Sequence, residues 1–273
     1  MIPFPSRRRA SERARLRRLF ALRSVYSPLP QPANADSAVA VPRFNSQDHA
    51  ALEVEVGLPE DEFDALVQRL RSPRRVRPVV TPSGHRARGR LPSLKTHAAK
   101  FESLVEQDTW RVLEVSSQVR RYATHPTVFA LPDAEGGKVK HYTPDATVAW
   151  RANALCLEVK GLHWMQMRST RDALRATVRS LRAAGVPLAL VSEADVRQNG
   201  LQDELRELLR LRPSAGLSRQ TVDATVWDPL RQTEPDAATL KRWRQAQHVC
   251  DALLERVMRR DPDQFIQSIP IKY

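Results

Sequence analysis

The chain has 273 residues, 41% hydrophobic and 27% charged, with 20 Pro and 9 Gly, which is enough for one large or two small domains with a buried core. No apolar run approaches the ~18 residues that span a bilayer, so no membrane role is expected; two cysteines, Cys156 and Cys250, exclude a disulfide scaffold or Cys-rich zinc finger and make a reducing, cytoplasmic compartment the default. The net charge is +13, and 37 of the 44 basic residues are Arg. Eight Arg and one Glu lie between Met1 and Ser24, and nine Arg or Lys with no acid lie between Arg71 and Lys100. These segments carry +16, leaving the remaining chain at −3. Such clustering fits a polyanion-binding protein, and the planar fork of Arg suits phosphate oxygens. The base composition of the gene could account for Arg over Lys, but not for the clustering.

In chain order, Ser6 to Arg23 reads as a short basic helix, a disordered arm that folds on a partner, or an Arg-rich transit segment. It is too rich in Arg for a secretory signal peptide. Ser27 to Pro42 reads as a linker. Leu58-Pro59-Glu60-Asp61-Glu62 opens a helix reaching about Leu70, with Pro in the first turn and acids near the positive end of the dipole. The prolines and glycines of Arg71 to Lys100 predict a basic loop or irregular hairpin. A helix is expected from about Ala98 to Ser116. Short strands follow at Val119–Thr124 and Thr127–Leu131, then a turn at Pro132 to Gly137, and strands at Val139–Tyr142, Asp145–Trp150 and Ala154–Lys160. A helix over Arg171–Ala184 ends at Gly185, before a buried-type strand over Val186–Val191. Helices over Leu201–Leu211 and Ala237–Arg259 complete the pattern. Strands and helices mixed in this way predict α/β with a mixed sheet.

Chemistry concentrates around Arg151-Ala152-Asn153. Alternation puts Ala146, Val148 and Trp150 on one face of the first strand, and Asp145, Thr147 and Ala149 on the other. Leu155, Leu157 and Val159 share the apolar face of the second strand; Ala154, Cys156, Glu158 and Lys160 share the opposite face. With Ala152-Asn153 as the turn, Asp145 faces Lys160; with Arg151-Ala152 as the turn, it faces Glu158. Either even-length loop gathers all three groups on one face, whereas a one-residue slip separates them. Cross-strand carboxylates at about 4.5–5.5 Å between Cβ atoms can share a hard divalent cation such as Mg²⁺, one of whose waters becomes a nucleophile. Lys160 would hold that water or neutralise the scissile phosphate.

Pro144-Asp145 followed by Glu158-Val159-Lys160 resembles the PD-(D/E)xK nuclease signature. Together with Ser83 to Gly89, Pro92-Ser93-Leu94-Lys95, Phe101-Glu102-Ser103-Leu104-Val105-Glu106 and Tyr142-Thr143-Pro144-Asp145, it is similar in order and spacing to the TnsA-type transposon endonucleases over residues 75 to 195. The resemblance implies a restriction-endonuclease-like core. It also implies a metal site of Glu106, Asp145 and Glu158, taking Mg²⁺ with Mn²⁺ able to substitute, and Lys160 as the catalytic lysine. His125-Pro126 departs from the Gln-Pro frequent in the family, and Glu158 stands where some relatives have Gln. A solvated acidic helix face is the plain alternative for Glu106.

Other residues carry less. His85, His97, His141 and His163 lack the close spacing of a zinc site. The five Trp show no regular interleaving with basic residues, so an aromatic stacking platform for single strands is not expected; they are expected in the core or an interface, with His163-Trp164-Met165 capping the edge of the active site. No Gly-rich phosphate loop appears, so ATP hydrolysis is not expected. The sequence thus predicts a basic arm and linker (1–47), a small helical segment (48–74), the endonuclease core (75–210) and a helical C-terminal region (211–273) that could bind partners. The expected function is cleavage of one strand of double-stranded DNA at transposon ends by a bacterial, DNA-associated enzyme, beside a DDE-type transposase subunit and an ATPase regulator. Arg86, Arg88, Arg90 and Lys95 are the expected backbone contacts. The alternatives are a repair or resolvase-type nuclease, and a non-catalytic basic DNA-binding subunit.

Overall fold

The structure, a computed structural model, describes residues 56–76, 87–132, 139–211 and 237–272. All of them lie in one compact unit, Glu53–Tyr273. The predicted N-terminal arm, the linker, the turn over 133–138 and the loop over 212–236 fall outside the described residues.

A five-stranded sheet is built on β8 (Asn153–Val159). One edge of β8 pairs antiparallel with β7 (Ala146–Trp150), which pairs in turn with β4 (Val119–Thr124). The other edge is shared by β1 (Leu58–Pro59), antiparallel, and β9 (Leu188–Val191), parallel. The fold is therefore mixed α/β, with a mostly antiparallel sheet flanked by helices. Two hairpins stand off the sheet: β2 (Gly89–Leu91) with β3 (Ala99–Phe101), and β5 (Phe129–Pro132) with β6 (Val139–Tyr142).

The alternation of β7 and β8 sends side chains into two separate cores. Val148, Trp150, Leu155, Leu157 and Val159 face α2 (Leu104–Val115), α6 (Leu201–Leu211) and α7 (Ala237–Arg259), where Trp110, Leu113, Leu205, Leu208, Cys250 and Leu254 are buried. On the opposite face, Ala154 and Cys156 lie under Phe63 and Leu66 of α1 (Glu60–Leu70) and under Phe129 and Leu131 of β5. Cys156 is small because both faces of β8 are covered. A third cluster joins Leu190 of β9 to Met165 of the short α3 (Leu162–Met165), to Leu174 and Val178 of α4 (Arg168–Ala183), and to Ile266 of α8 (Pro262–Ser268). A four-residue helix, α5 (Glu193–Val196), follows β9.

The helix expected from Ala98 begins later. Ser103 is its N-cap, its Oγ accepting the Glu106 N–H at 3.1 Å, while Ala99–Phe101 pairs with β2 instead. Capping fixes the start because the first-turn N–H groups have no helical partner. Gly185, at φ +74°, ends α4 as expected, in the left-handed region that glycine enters freely. Among the described residues no helix is long and apolar enough to cross a membrane.

Candidate functional site

The register of β7 and β8 runs from Trp150 opposite Asn153 to Ala146 opposite Leu157. Arg151-Ala152 is therefore the turn, and one step beyond the last pair Asp145 faces Glu158. Of the two even-length loops, this one sets the carboxylates side by side. One Asp145 oxygen accepts the Val159 N–H at 2.7 Å, which ties the acid to the strand carrying Glu158 and Lys160. The Lys160 ammonium stands 3.4 Å from Glu158.

Glu106 arrives from the first turn of α2. One of its oxygens accepts from Ser103 Oγ at 2.9 Å and the other from the Glu102 N–H at 2.8 Å. With the Ser103 cap these bonds tie Glu106 to the start of its own helix, one residue before the reach of a true capping box, so the Ser-x-x-Glu spacing has a local structural duty besides any chemistry. The solvated acidic face does not describe Glu106, which is buried with Glu158.

Two residues join these acids that stand within the sequence motifs but were given no role there. His125 adopts φ +47°, unusual for a residue with a β-carbon. Its N–H donates to the Asp145 carbonyl at 2.9 Å, and its Nε2 lies 3.9 Å from an oxygen of Glu106 and 3.9 Å from an oxygen of Asp145. Tyr142, at the end of β6, donates its hydroxyl to Glu158 at 2.6 Å. Its place in Tyr142-Thr143-Pro144-Asp145 was a signal; nothing in the sequence announced the left-handed backbone of His125.

The electrostatics are those of negative charges held together in a dry site. Burial, then the charges of Glu158 and Glu106, push the Asp145 carboxyl well above its usual range. Burial also raises Glu106, helped by Glu102 and Glu158 and opposed by the bonds from Glu102 N–H and Ser103. Burial alone would lower Lys160, but the Glu158 and Asp145 charges outweigh it and hold the ammonium above its ordinary value. Burial and the same two acids raise the Tyr142 hydroxyl strongly. Within 4 Å of Glu106, Asp145 and Glu158, the basic groups among the described residues are Lys160 and the His125 ring.

Oxygen-rich, anionic and short of cations, this donor set suits a hard divalent ion. As the side chains stand, no three His, Cys, Asp or Glu among the described residues are gathered tightly enough to hold one. Glu106 is turned back onto its own helix cap, and Glu158 is engaged by Tyr142 and Lys160. The donors fit a hard cation by their chemistry but not by their present spacing, and Glu106 is the group that would have to turn.

The expected DNA contacts divide. Arg86 lies outside the described residues. Arg88 stands 3.7 Å from Glu102, beside the site, and Arg90 is exposed on β2. Lys95 departs from expectation: it is buried, and its ammonium donates to the carbonyls of Leu113 (2.8 Å) and Ser116 at the end of α2. A helix ends in unsatisfied carbonyls and partial negative charge, and Lys95 satisfies them, so it is not placed to meet a phosphate. Trp164 is exposed and so lies outside the core, which leaves the interface half of the expectation for it.

No protein-family profile matches the chain, and no curated protein matches it.

Proposed function

We propose that this chain is a divalent-metal-dependent DNA endonuclease that cuts one strand at transposon ends as part of a multi-subunit transposase. The observation that supports the hydrolytic part is the uncompensated acidity of the Glu106, Asp145 and Glu158 group. Elsewhere the fold balances buried acids. Asp195 is held by both nitrogens of Arg260 at 2.9 Å, and Asp108 by Arg111 at 2.5 Å and Arg197 at 2.6 Å. The three clustered acids share one lysine and one histidine.

Bound by Asp145 and Glu158 with Glu106, Mg²⁺ or Mn²⁺ would supply positive charge to the scissile phosphate and acidify a bound water. The protein's own part is positional. The β7–β8 register holds the two strand acids abreast, and the Val159 N–H fixes Asp145. Lys160, partly exposed beside Glu158, is a fixed cation for a phosphate oxygen. Cutting at transposon ends, and partnership with a DDE-type transposase and an ATPase regulator, rest on the resemblance of the motifs.

Supercoiled plasmid incubated with the purified chain and Mg²⁺, with and without a transposase partner, tests the reading. Nicking that EDTA abolishes, and that Lys160→Ala lowers by about 10²-fold or more while DNA binding persists, is expected. Binding without any metal-dependent cleavage, alone or with the partner, would leave a non-catalytic DNA-binding subunit as the better account. Cleavage that depends on branched DNA and ignores the transposase would favour a repair or resolvase-type enzyme.

A further inference from the structure

Trp164 stands apart from the other described tryptophans. Trp110, Trp150 and Trp243 are 0%, 2% and 3% exposed, and Trp164 is 49% exposed. It is not on a loose segment. Met165, the next residue, is fully buried in the cluster of β9, α4 and α8. The turn is pinned from both sides: the Trp164 N–H donates to the Gly161 carbonyl at 3.0 Å, and the Leu162 N–H donates to Glu193 at 2.7 Å. Holding Met165 inward on so short a helix turns Trp164 outward.

Its position gives this exposure a use. A β-carbon on Gly161 would meet the indole Cδ1 at 3.5 Å, so the ring lies against the residue that follows Lys160. His163 meets the indole edge-on, with ring centroids 5.5 Å apart, and is itself exposed. Arg168, exposed, opens α4 a few residues on. An aromatic face beside the candidate catalytic lysine, flanked by a second ring and a cation, has the composition of a surface that stacks a base while its backbone is held electrostatically.

We propose that Trp164 stacks against a nucleobase that is unpaired next to the cleaved phosphate, so that the substrate is duplex opened at the cut and not intact duplex. This rests on the nuclease reading above and deepens it by naming the form of DNA that the site takes. Paired bases offer their faces to their neighbours in the stack, and a side chain outside the duplex cannot reach them; a base freed from pairing can lie on the indole.

The experiment measures binding of the full chain, in Ca²⁺, to three labelled DNAs: an intact duplex, the same duplex with a short central bubble, and a single strand. 2-Aminopurine in the bubble reports stacking. The wild type is expected to favour the bubble over the duplex by about 5- to 150-fold, the range a single base–aromatic stack supplies, and to quench 2-aminopurine. Trp164→Ala should collapse that ratio and the quenching without lowering the melting temperature, and Trp164→Phe should keep most of both. No bubble preference in the wild type, or a preference that survives Trp164→Ala, overturns the proposal. So does a loss equal on all three DNAs, which would mark Trp164 as a generic contact. Mg²⁺-dependent nicking by wild type and Lys160→Ala, run on the same DNAs, tests the nuclease reading separately: a Trp164-dependent bubble preference without nicking removes the enzyme and leaves the stacking surface.

Discussion

Replacing Asp145 with Asn should stabilise the metal-free protein. Residues opposite one another on antiparallel strands have Cβ atoms about 4.5–5.5 Å apart, and two unit charges about 5 Å apart repel by about 3 kcal/mol at an effective dielectric of ~20. The Lys160 ammonium, 3.4 Å from Glu158, offsets part of this. Asn still accepts the Val159 N–H that Asp145 now takes at 2.7 Å, losing about 1 kcal/mol of charge assistance. The net gain is about 1–2 kcal/mol, or about 2–8 °C in Tm for a domain of this size. Because the folded Asp145 holds its proton above the ordinary value of 3.8, the stability it contributes is complete below that pH and is lost as pH rises through its raised folded value. In EDTA the variant should therefore match the wild type near pH 4 and exceed it at pH 8. Divalent ion should reverse the order, since it stabilises the wild type by about 2.7 kcal/mol at a hundred times its Kd and the variant far less. Thermal melts across pH, with EDTA and with Mg²⁺, measure all of this. A variant less stable than wild type in EDTA at pH 8, or a difference independent of pH, refutes the reasoning.

Other perturbations separate local structure from chemistry. Glu106→Gln keeps one acceptor for the Glu102 N–H and can donate its amide N–H to Ser103 Oγ in place of the bond it now accepts, so the loss of stability should stay within about 1 kcal/mol while Mg²⁺-dependent stabilisation and nicking fall; a larger loss would mean that the charge itself caps α2. Arg260→Ala takes from buried Asp195 the two bonds of its guanidinium partner and leaves those from Ser192, with Arg256 4.0 Å away, and should cost about 3 kcal/mol in denaturant unfolding. Gly89→Ala puts a β-carbon 2.7 Å from the Phe101 ring, and a loss of about 1–3 kcal/mol is expected from that overpacking; an unchanged Tm would show that the β2–β3 hairpin yields freely. Burial, opposed by Glu114, Asp251 and Cys250, pushes Lys95 down to about 8 from 10.5, so the unfolded chain binds more protons in that window and stability should rise with pH there. Lys95→Met should remove that slope in chemical denaturation.

Much of this was legible in the sequence because it is local. The period-two alternation of Ala146–Trp150 and Leu155–Val159 set which residues share a face, and the even-length turn required by those faces left two registers. What separated them was not local: β1 and β9 dock on the far edge of β8, and α1 and β5 cover its second face, where Cys156 and Ala154 pack. The helix start was missed because Ala99 and Phe101 also satisfy helical spacing, and the Ser103 cap and the pairing with β2 overrode it. Lys95 was misread because charge counts do not tell a surface cation from one that caps a helix. His125 entered only as a departure from a family motif because its left-handed backbone is one that glycine announces and histidine does not, and the exposure of Trp164 follows from the inward turn of its neighbour Met165.

The clearest contrast between structure and chemistry lies within this one fold. A carboxylate buried to hold elements together is expected to have its cation nearby, because an unpaired buried charge costs several kcal/mol. Asp195 and Asp108 meet that expectation: Arg260 joins α5 to the segment after α7, and Arg197 joins α2 to the turn after α5. Glu114 is held mainly by donors, accepting from Leu94 N–H, Ser93 and the Tyr122 hydroxyl, with the charge of buried Lys95 acting on it as well. Asp145, Glu106 and Glu158 follow neither pattern fully. Each has a donor or two, but burial, with the mutual repulsion added to it, raises two of its members. Stability alone would remove that repulsion with one amide; under the proposed nuclease reading, the same repulsion would favour a divalent cation once Glu106 turned toward Asp145 and Glu158. Repulsion that survives in a core which elsewhere pairs its acids is a strain of the kind found at functional sites.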